Sequence, residues 1–118
     1  MARVLVVDDD VKIRTFIGLL FRDAGHAVQS AGNGAEALAV IDSEPPDVMI
    51  LDLQMPVMDG REFMRQIRGA GNKTPVLLLS AYGAQRARQE LGANDALSKP
   101  FDIDELLEHV VALLPQTS

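Results

Sequence analysis

ARVLVVDDD, residues Ala2 to Asp10, is an almost continuous apolar, β-branched run that ends in three carboxylates. Such a run suits a strand covered on both faces in a mostly parallel sheet. A helix is expected after it. From Val11 onward Ile13, Phe16, Ile17, Leu20 and Phe21 recur at spacings of three and four and so share one helical stripe, and Gly25 stands where that helix would stop.

The same alternation continues along the chain. His26 to Ala31 (HAVQSA) reads as a second strand, and Asn33 with Glu36 three residues on forms a capping-box-like start for a helix Ala35 to Ile41, which Pro45 and Pro46 end. Asp47 to Leu51 (DVMIL) is a third buried strand. Gln54 to Gly60 (QMPVMDG) carries the Pro and Gly signals of a loop, and it leads to a helix over Glu62 to Ile67. Thr74 to Leu79 (TPVLLL) is the fourth strand, Ala84 to Leu91 a short helix, and Ala96 to Ser98 a fifth, weaker strand. Asp102 with Glu105 caps the last helix, where Ile103, Leu106, Leu107, Val110, Val111 and Leu114 form an apolar stripe. Five strands alternating with five helices predict an α/β fold with a doubly wound, five-stranded parallel sheet. Right-handed crossovers favour the flavodoxin-like order 2-1-3-4-5.

Composition narrows the function classes. At 118 residues, 47% of them hydrophobic, the chain suits one domain with one core, residues 1–118. A formal net charge of −6 argues against nucleic acid or an anionic membrane as direct partner of this segment. The absence of cysteine removes disulfides, thiolate metal sites and cysteine nucleophiles together. Apolar runs of about five residues fall far short of the roughly 20 that span a bilayer. With no basic-then-apolar start either, the reading places the chain in the cytoplasm.

In an open α/β sheet the ligand site lies beyond the carboxyl ends of the strands, near the point where strand order reverses. Asp8, Asp9 and Asp10 follow strand one, Asp52 follows strand three, Ser80 strand four, and Lys99 with Pro100 strand five. Taken singly, Asp10 is explained as a helix N-cap and the others as solvated loop residues. Together they converge on one rim. Three carboxylates that close stay ionised only with a cation among them, and hard oxygen ligands with room for water point to Mg²⁺. A metal and a lysine around one carboxylate meet the demands of phosphoryl transfer: Asp52 attacks while the cations and a hydroxyl neutralise the phosphoryl oxygens.

The motifs VLVVDDD, DVMILDLQMPVMDG, LLLSAYG and ALSKPF, in this order, resemble the receiver domain of bacterial two-component response regulators, over essentially the whole chain. The resemblance implies a switch that takes a phosphoryl group onto Asp52 and slowly loses it, not a turnover enzyme. The donor would be a histidine kinase, a phosphotransfer protein, or a small molecule such as acetyl phosphate. Asp9 and Asp52 would ligate Mg²⁺ directly, with the backbone carbonyl of Gln54, and Asp8 largely through water. Lys99 would hold a phosphoryl oxygen and Ser80 would hydrogen-bond it after transfer. Pro100 is expected to follow a cis peptide that aims Lys99 inward. Met55 and Pro56 would shape the acceptor loop, with Asp59 and Gly60 forming the turn after it. Ala81 and Tyr82 belong to the switch region after Ser80, and Gln54 and Tyr82 match positions that border the path of hydrolytic water. Lys12, Ile13 and Phe16 offer a kinase-docking surface by resemblance, though Ile13 and Phe16 are read as core.

Two departures from the family stand out. Receivers usually carry an aromatic residue three positions before the lysine, and here that position is Ala96; Ser80 remains without its aromatic counterpart. The stretch from Ser80 to Lys99 also looks about one helical turn short. With Gly83 and Gly92 at its ends, the fourth helix should be short or poorly formed. These departures motivate an alternative reading as a phosphorylation-independent pseudo-receiver that acts as a binding module. A phosphatase that passes through an aspartyl phosphate would need an acid two residues after the nucleophile, where Gln54 stands. The output partner is not legible: Pro115 to Ser118 are too few for an effector, which leaves a stand-alone regulator or an excised receiver.

Overall fold

The computed structural model describes residues 2–55 and 57–114. Pro56 and Pro115 to Ser118 lie outside the described residues. The element order is β1 (Arg3–Val7), α1 (Val11–Asp23), β2 (Ala27–Ala31), α2 (Gly34–Ser43), β3 (Val48–Asp52), α3 (Gly60–Gly69), β4 (Val76–Ser80), α4 (Ala84–Leu91), β5 (Asp95–Ser98) and α5 (Ile103–Leu113). All strand pairs are parallel, and the sheet order is β2-β1-β3-β4-β5, as expected. The order reverses beside β1, so the carboxyl ends of β1 and β3 lie next to each other.

Side-chain alternation along the strands assigns the helices to two layers. Val4, Val6, Val48, Ile50, Leu77, Leu79 and Leu97 point to one face, which Ile17 and Phe21 of α1 and Leu106 and Val110 of α5 cover. Leu5, Val7, Met49, Leu51, Val76, Leu78 and Ala96 point to the other, under Ala37 of α2, Phe63, Met64 and Ile67 of α3, and Ala84 and Ala87 of α4. Because both faces of the sheet's centre are covered, the central strands show no polar alternation; β3 and β4 are buried at every residue.

Helix starts follow the caps. Asp10 accepts from the backbone N–H of Lys12 and Ile13, Asn33 from Glu36, Asp59 from Glu62 and Asp102 from Asp104. Asn33 Nδ2 also donates to Glu36 Oε2, so the capping pair is real although α2 begins one residue earlier than expected. The fourth helix is fully formed but short, with eight residues between left-handed Gly83 and Gly92 and no side-chain cap. Its buried residues are two alanines, in the same apolar cluster as Ala96 of β5.

Two apolar stripes are narrower than the periodicity implies. Phe16 is 45% exposed, not core, while Ile13 packs partly into the layer. On α5, Ile103 and Val111 are exposed and only Leu106 and Val110 are fully buried. The reason is geometric: a helix lying on a flat sheet buries a narrower arc than a three-four repeat marks out.

Candidate functional site

The site grows from two adjacent strand ends. Asp8 follows β1 and is buried; its Oδ1 accepts from the N–H of Asp10 at 2.9 Å, while its Oδ2 is buried with no hydrogen-bond partner among the described residues. Asp52 closes β3, also buried, and its Oδ1 accepts from the Gln54 N–H at 3.2 Å. Asp9 is exposed at the mouth. One carboxylate oxygen from each of Asp8, Asp9 and Asp52 lies within 4.8 Å of the others. Asp10 stands apart as the α1 cap.

From the opposite side β5 delivers Lys99, whose Nζ lies 3.3 Å from Asp52 Oδ1 and 4.0 Å from Asp8 Oδ2. The Lys99 backbone N–H is fixed by Ser80 O at 2.8 Å, and the Lys99–Pro100 bond is cis. Ser80, at the end of β4, donates its hydroxyl proton to Tyr82 O at 2.7 Å and accepts from the Tyr82 N–H. That hydroxyl is therefore turned into its own loop. Ala81 is exposed beside it and Tyr82 is 82% exposed.

Burial raises the Asp8 carboxyl to about 6 from 3.8; the Asp10 N–H and Lys99 work against that, and the Asp52 and Asp9 charges add to it. A carboxylate oxygen buried without a donor, among two others with one lysine to share, leaves negative charge unmatched. This set fits a hard divalent cation by the chemistry of its donors.

A cavity of about 490 Å³ opens over these residues, lined by Asp9, Leu53, Gln54, Met55, Asp59, Arg61, Ser80 and Tyr82. Gly60, between the lining residues Asp59 and Arg61, packs against β3. A Cβ there would stand 2.7 Å from Leu53 Cα and 2.8 Å from Asp52 O, so α3 starts closer to the end of β3 than any side chain permits. The Gly60 N–H donates to Leu53 O across that approach. In the loop between, Val57 adopts φ 68°, a left-handed conformation that a β-branched residue seldom takes.

A family model for the response regulator receiver domain matches residues 4–111. The chain belongs to that family. Among relatives, it is 42% identical over 118 residues to response regulator MprA of Mycobacterium tuberculosis, an alignment that covers 98% of this chain and 51% of MprA. The chain thus spans about half the length of the curated relatives it matches. The chemotaxis protein CheY4 of Vibrio cholerae superimposes with a TM-score of 0.88 at 37% identity, covering 97% of this chain and 99% of that one. The response regulator TrrA of Thermotoga maritima, solved in complex with Mg²⁺-BeF, gives 0.85 at 37% identity, covering 97% and 100%. Receivers of two-component systems are signalling switches rather than turnover enzymes, and they bind Mg²⁺ at a cluster of acidic residues. This receiver has such a cluster in Asp8, Asp9 and Asp52.

The structure brings Asp8, Asp9, Asp52, Ser80 and Lys99 to one rim, as the strand-end argument expects. No helix of the described residues is long and apolar enough to cross a membrane. The sequence reading passed over Arg61, which lines the cavity: its place follows from Gly60, whose close approach to β3 emerges only in the fold.

Proposed function

We propose that this receiver takes a phosphoryl group onto Asp52, from a histidine kinase, a phosphotransfer protein or a small phosphodonor, and that residues 1–118 act as one receiver unit. The observation that carries the reading is the buried Asp52 carboxylate with Lys99 Nζ at 3.3 Å and the carboxylates of Asp8 and Asp9 beside it. Asp9, Asp52 and the Gln54 backbone carbonyl would hold Mg²⁺ directly, and Asp8 largely through water. When bound, the ion supplies positive charge for the phosphoryl oxygens and keeps the acceptor ionised.

The remaining work falls to the chain. An Asp52 carboxylate oxygen forms a bond to phosphorus as the bond from phosphorus to the donor breaks, and the electron pair leaves with the imidazole nitrogen or the acetate oxygen. Lys99 neutralises a phosphoryl oxygen, and is already placed by Asp52. Ser80 must give up its 2.7 Å bond to Tyr82 O before it can donate to the phosphoryl group, which couples the product to the loop after β4. Gln54 and Tyr82 line the cavity through which hydrolytic water would enter. Tyr82 slows hydrolysis in this account, so Tyr82→Ala shortens the phosphoryl lifetime; an unchanged or longer lifetime removes that role.

On α1, Phe16 is 45% exposed and Ile13 is partly buried. By the resemblance, Lys12, Ile13 and Phe16 offer a kinase a surface next to Asp9. The output face and the activity of any longer protein follow from partners that this segment does not identify, with nucleic acid and membrane disfavoured as direct partners by the net charge of −6.

Incubation with acetyl phosphate and Mg²⁺ tests the reading by intact mass. A gain of one phosphoryl group that is lost in Asp52→Ala supports it. No gain in the wild type favours the phosphorylation-independent binding module instead.

A further inference from the structure

We propose that Arg61 is a second cation of the phosphoryl site, held in reserve by Glu90, and that its exchange between Glu90 and the phosphoryl group carries occupancy of Asp52 to α4. The proposal rests on the reading of Asp52 as acceptor.

Arg61 faces two ways. It is the cation among the described residues that line the cavity over the site. It also lines a neighbouring cavity of about 310 Å³ between α3 and α4, with Tyr82, Gly83, Arg86, Ala87 and Glu90. Within that second cavity Arg61 Nη1 lies 3.5 Å from Glu90 Oε2, and Arg86 Nε lies 2.9 Å from Glu90 Oε1. Two guanidinium groups thus share one carboxylate. Glu90 keeps Arg86 as a partner when Arg61 leaves, so the exchange strands no anion.

Charge decides the direction. Phosphorylation adds negative charge to a cavity that already holds the carboxylates of Asp9 and Asp59, and Lys99 reaches the phosphoryl group from the side of Asp52 and Asp8. The Arg61–Glu90 pair is about half exposed and its separation is long, which makes it a weak tie. A phosphoryl dianion accepts two parallel N–H bonds from a guanidinium and is the stronger partner. The close approach of Gly60 to Leu53 and Asp52 O sets the backbone of Arg61 beside the site. Only the side chain needs to swing.

The receiving element is built to respond. α4 has eight residues, two left-handed glycine ends, no side-chain cap and two alanines as its buried anchors. Its pair with Arg61 joins it to α3. Without an aromatic at Ala96, this gives the site a route to α4 that needs no ring.

The test follows amide hydrogen exchange of residues 84–91 with and without beryllofluoride and Mg²⁺, alongside the rate of phosphorylation by acetyl phosphate read by intact mass. In the wild type beryllofluoride raises exchange in α4. In Glu90→Gln exchange is already raised without it, and acetyl phosphate reacts about threefold faster because Arg61 is released. In Arg61→Gln the reaction slows about tenfold and saturating beryllofluoride leaves α4 as in Glu90→Gln. Phosphorylation that proceeds with wild-type rate and wild-type α4 response in both variants overturns the proposal and leaves Asp52 as acceptor. A wild type that gains no phosphoryl mass overturns both.

Discussion

Asp8 shows how a single buried atom sets the behaviour of the site. Its Oδ2 has no hydrogen-bond donor among the described residues, and burial raises its pKa to about 6. The unfolded chain holds that proton only below the ordinary 3.8, so the folded, metal-free receiver binds it more tightly. The resulting stabilisation is full below 3.8 and is lost as pH rises through about 6, an effect on the order of 3 kcal/mol. Metal-free protein should therefore unfold at lower denaturant concentration at pH 7.5 than at pH 5, against whatever the other groups contribute. Asp8→Asn should flatten that slope and raise metal-free stability at pH 7.5, while weakening Mg²⁺ binding. Denaturation midpoints at the two pH values check the first statement and Mg²⁺ titration the second. The carboxylates were legible in the sequence because each ends a strand. The empty valence on Asp8 was not, because it depends on which oxygen the Asp10 N–H takes.

At the scale of elements, strands and caps could be read directly, since apolar runs, capping residues and glycines act locally. What could not be read is what one element does to another. Arg68, at the end of α3, donates to Gly92 O, Asn72 O, Thr74 O and Asn94 Oδ1, and so ties together three chain segments between α3 and β5. Asn94 Oδ1 also accepts from the Val76 N–H at the start of β4. Arg68→Ala should lower stability by about 2 kcal/mol, since it leaves partly buried carbonyls without a charged donor. Chemical denaturation measures it, and a loss within a few tenths of a kcal/mol would show these bonds to be replaced by water. Ala96 poses the complementary question. It is buried in one apolar cluster with Ala84 and Ala87 of α4. Ala96→Phe should then destabilise by about 2 kcal/mol through overpacking, and a stabilised variant would reveal unfilled space instead.

For the whole molecule, the sheet order and the two covered faces follow from alternation and crossover handedness alone, and the observed β2-β1-β3-β4-β5 order agrees. The same topology explains why residues as far apart in sequence as Asp8 and Lys99 meet: strand order brings their carboxyl ends to one edge, whatever the helices between them do. That independence lets this receiver bring Asp8, Asp9, Asp52, Ser80 and Lys99 to one rim while its fourth helix has eight residues. Borohydride reduces an acyl phosphate to an alcohol and leaves a free carboxylate alone, which makes it a direct probe of the acceptor. After incubation with acetyl phosphate and Mg²⁺, then borohydride, peptide mass spectrometry should find homoserine at position 52 and unaltered aspartate at positions 8, 9 and 59. Unaltered aspartate at position 52, or homoserine at any of the others in its place, would contradict the account.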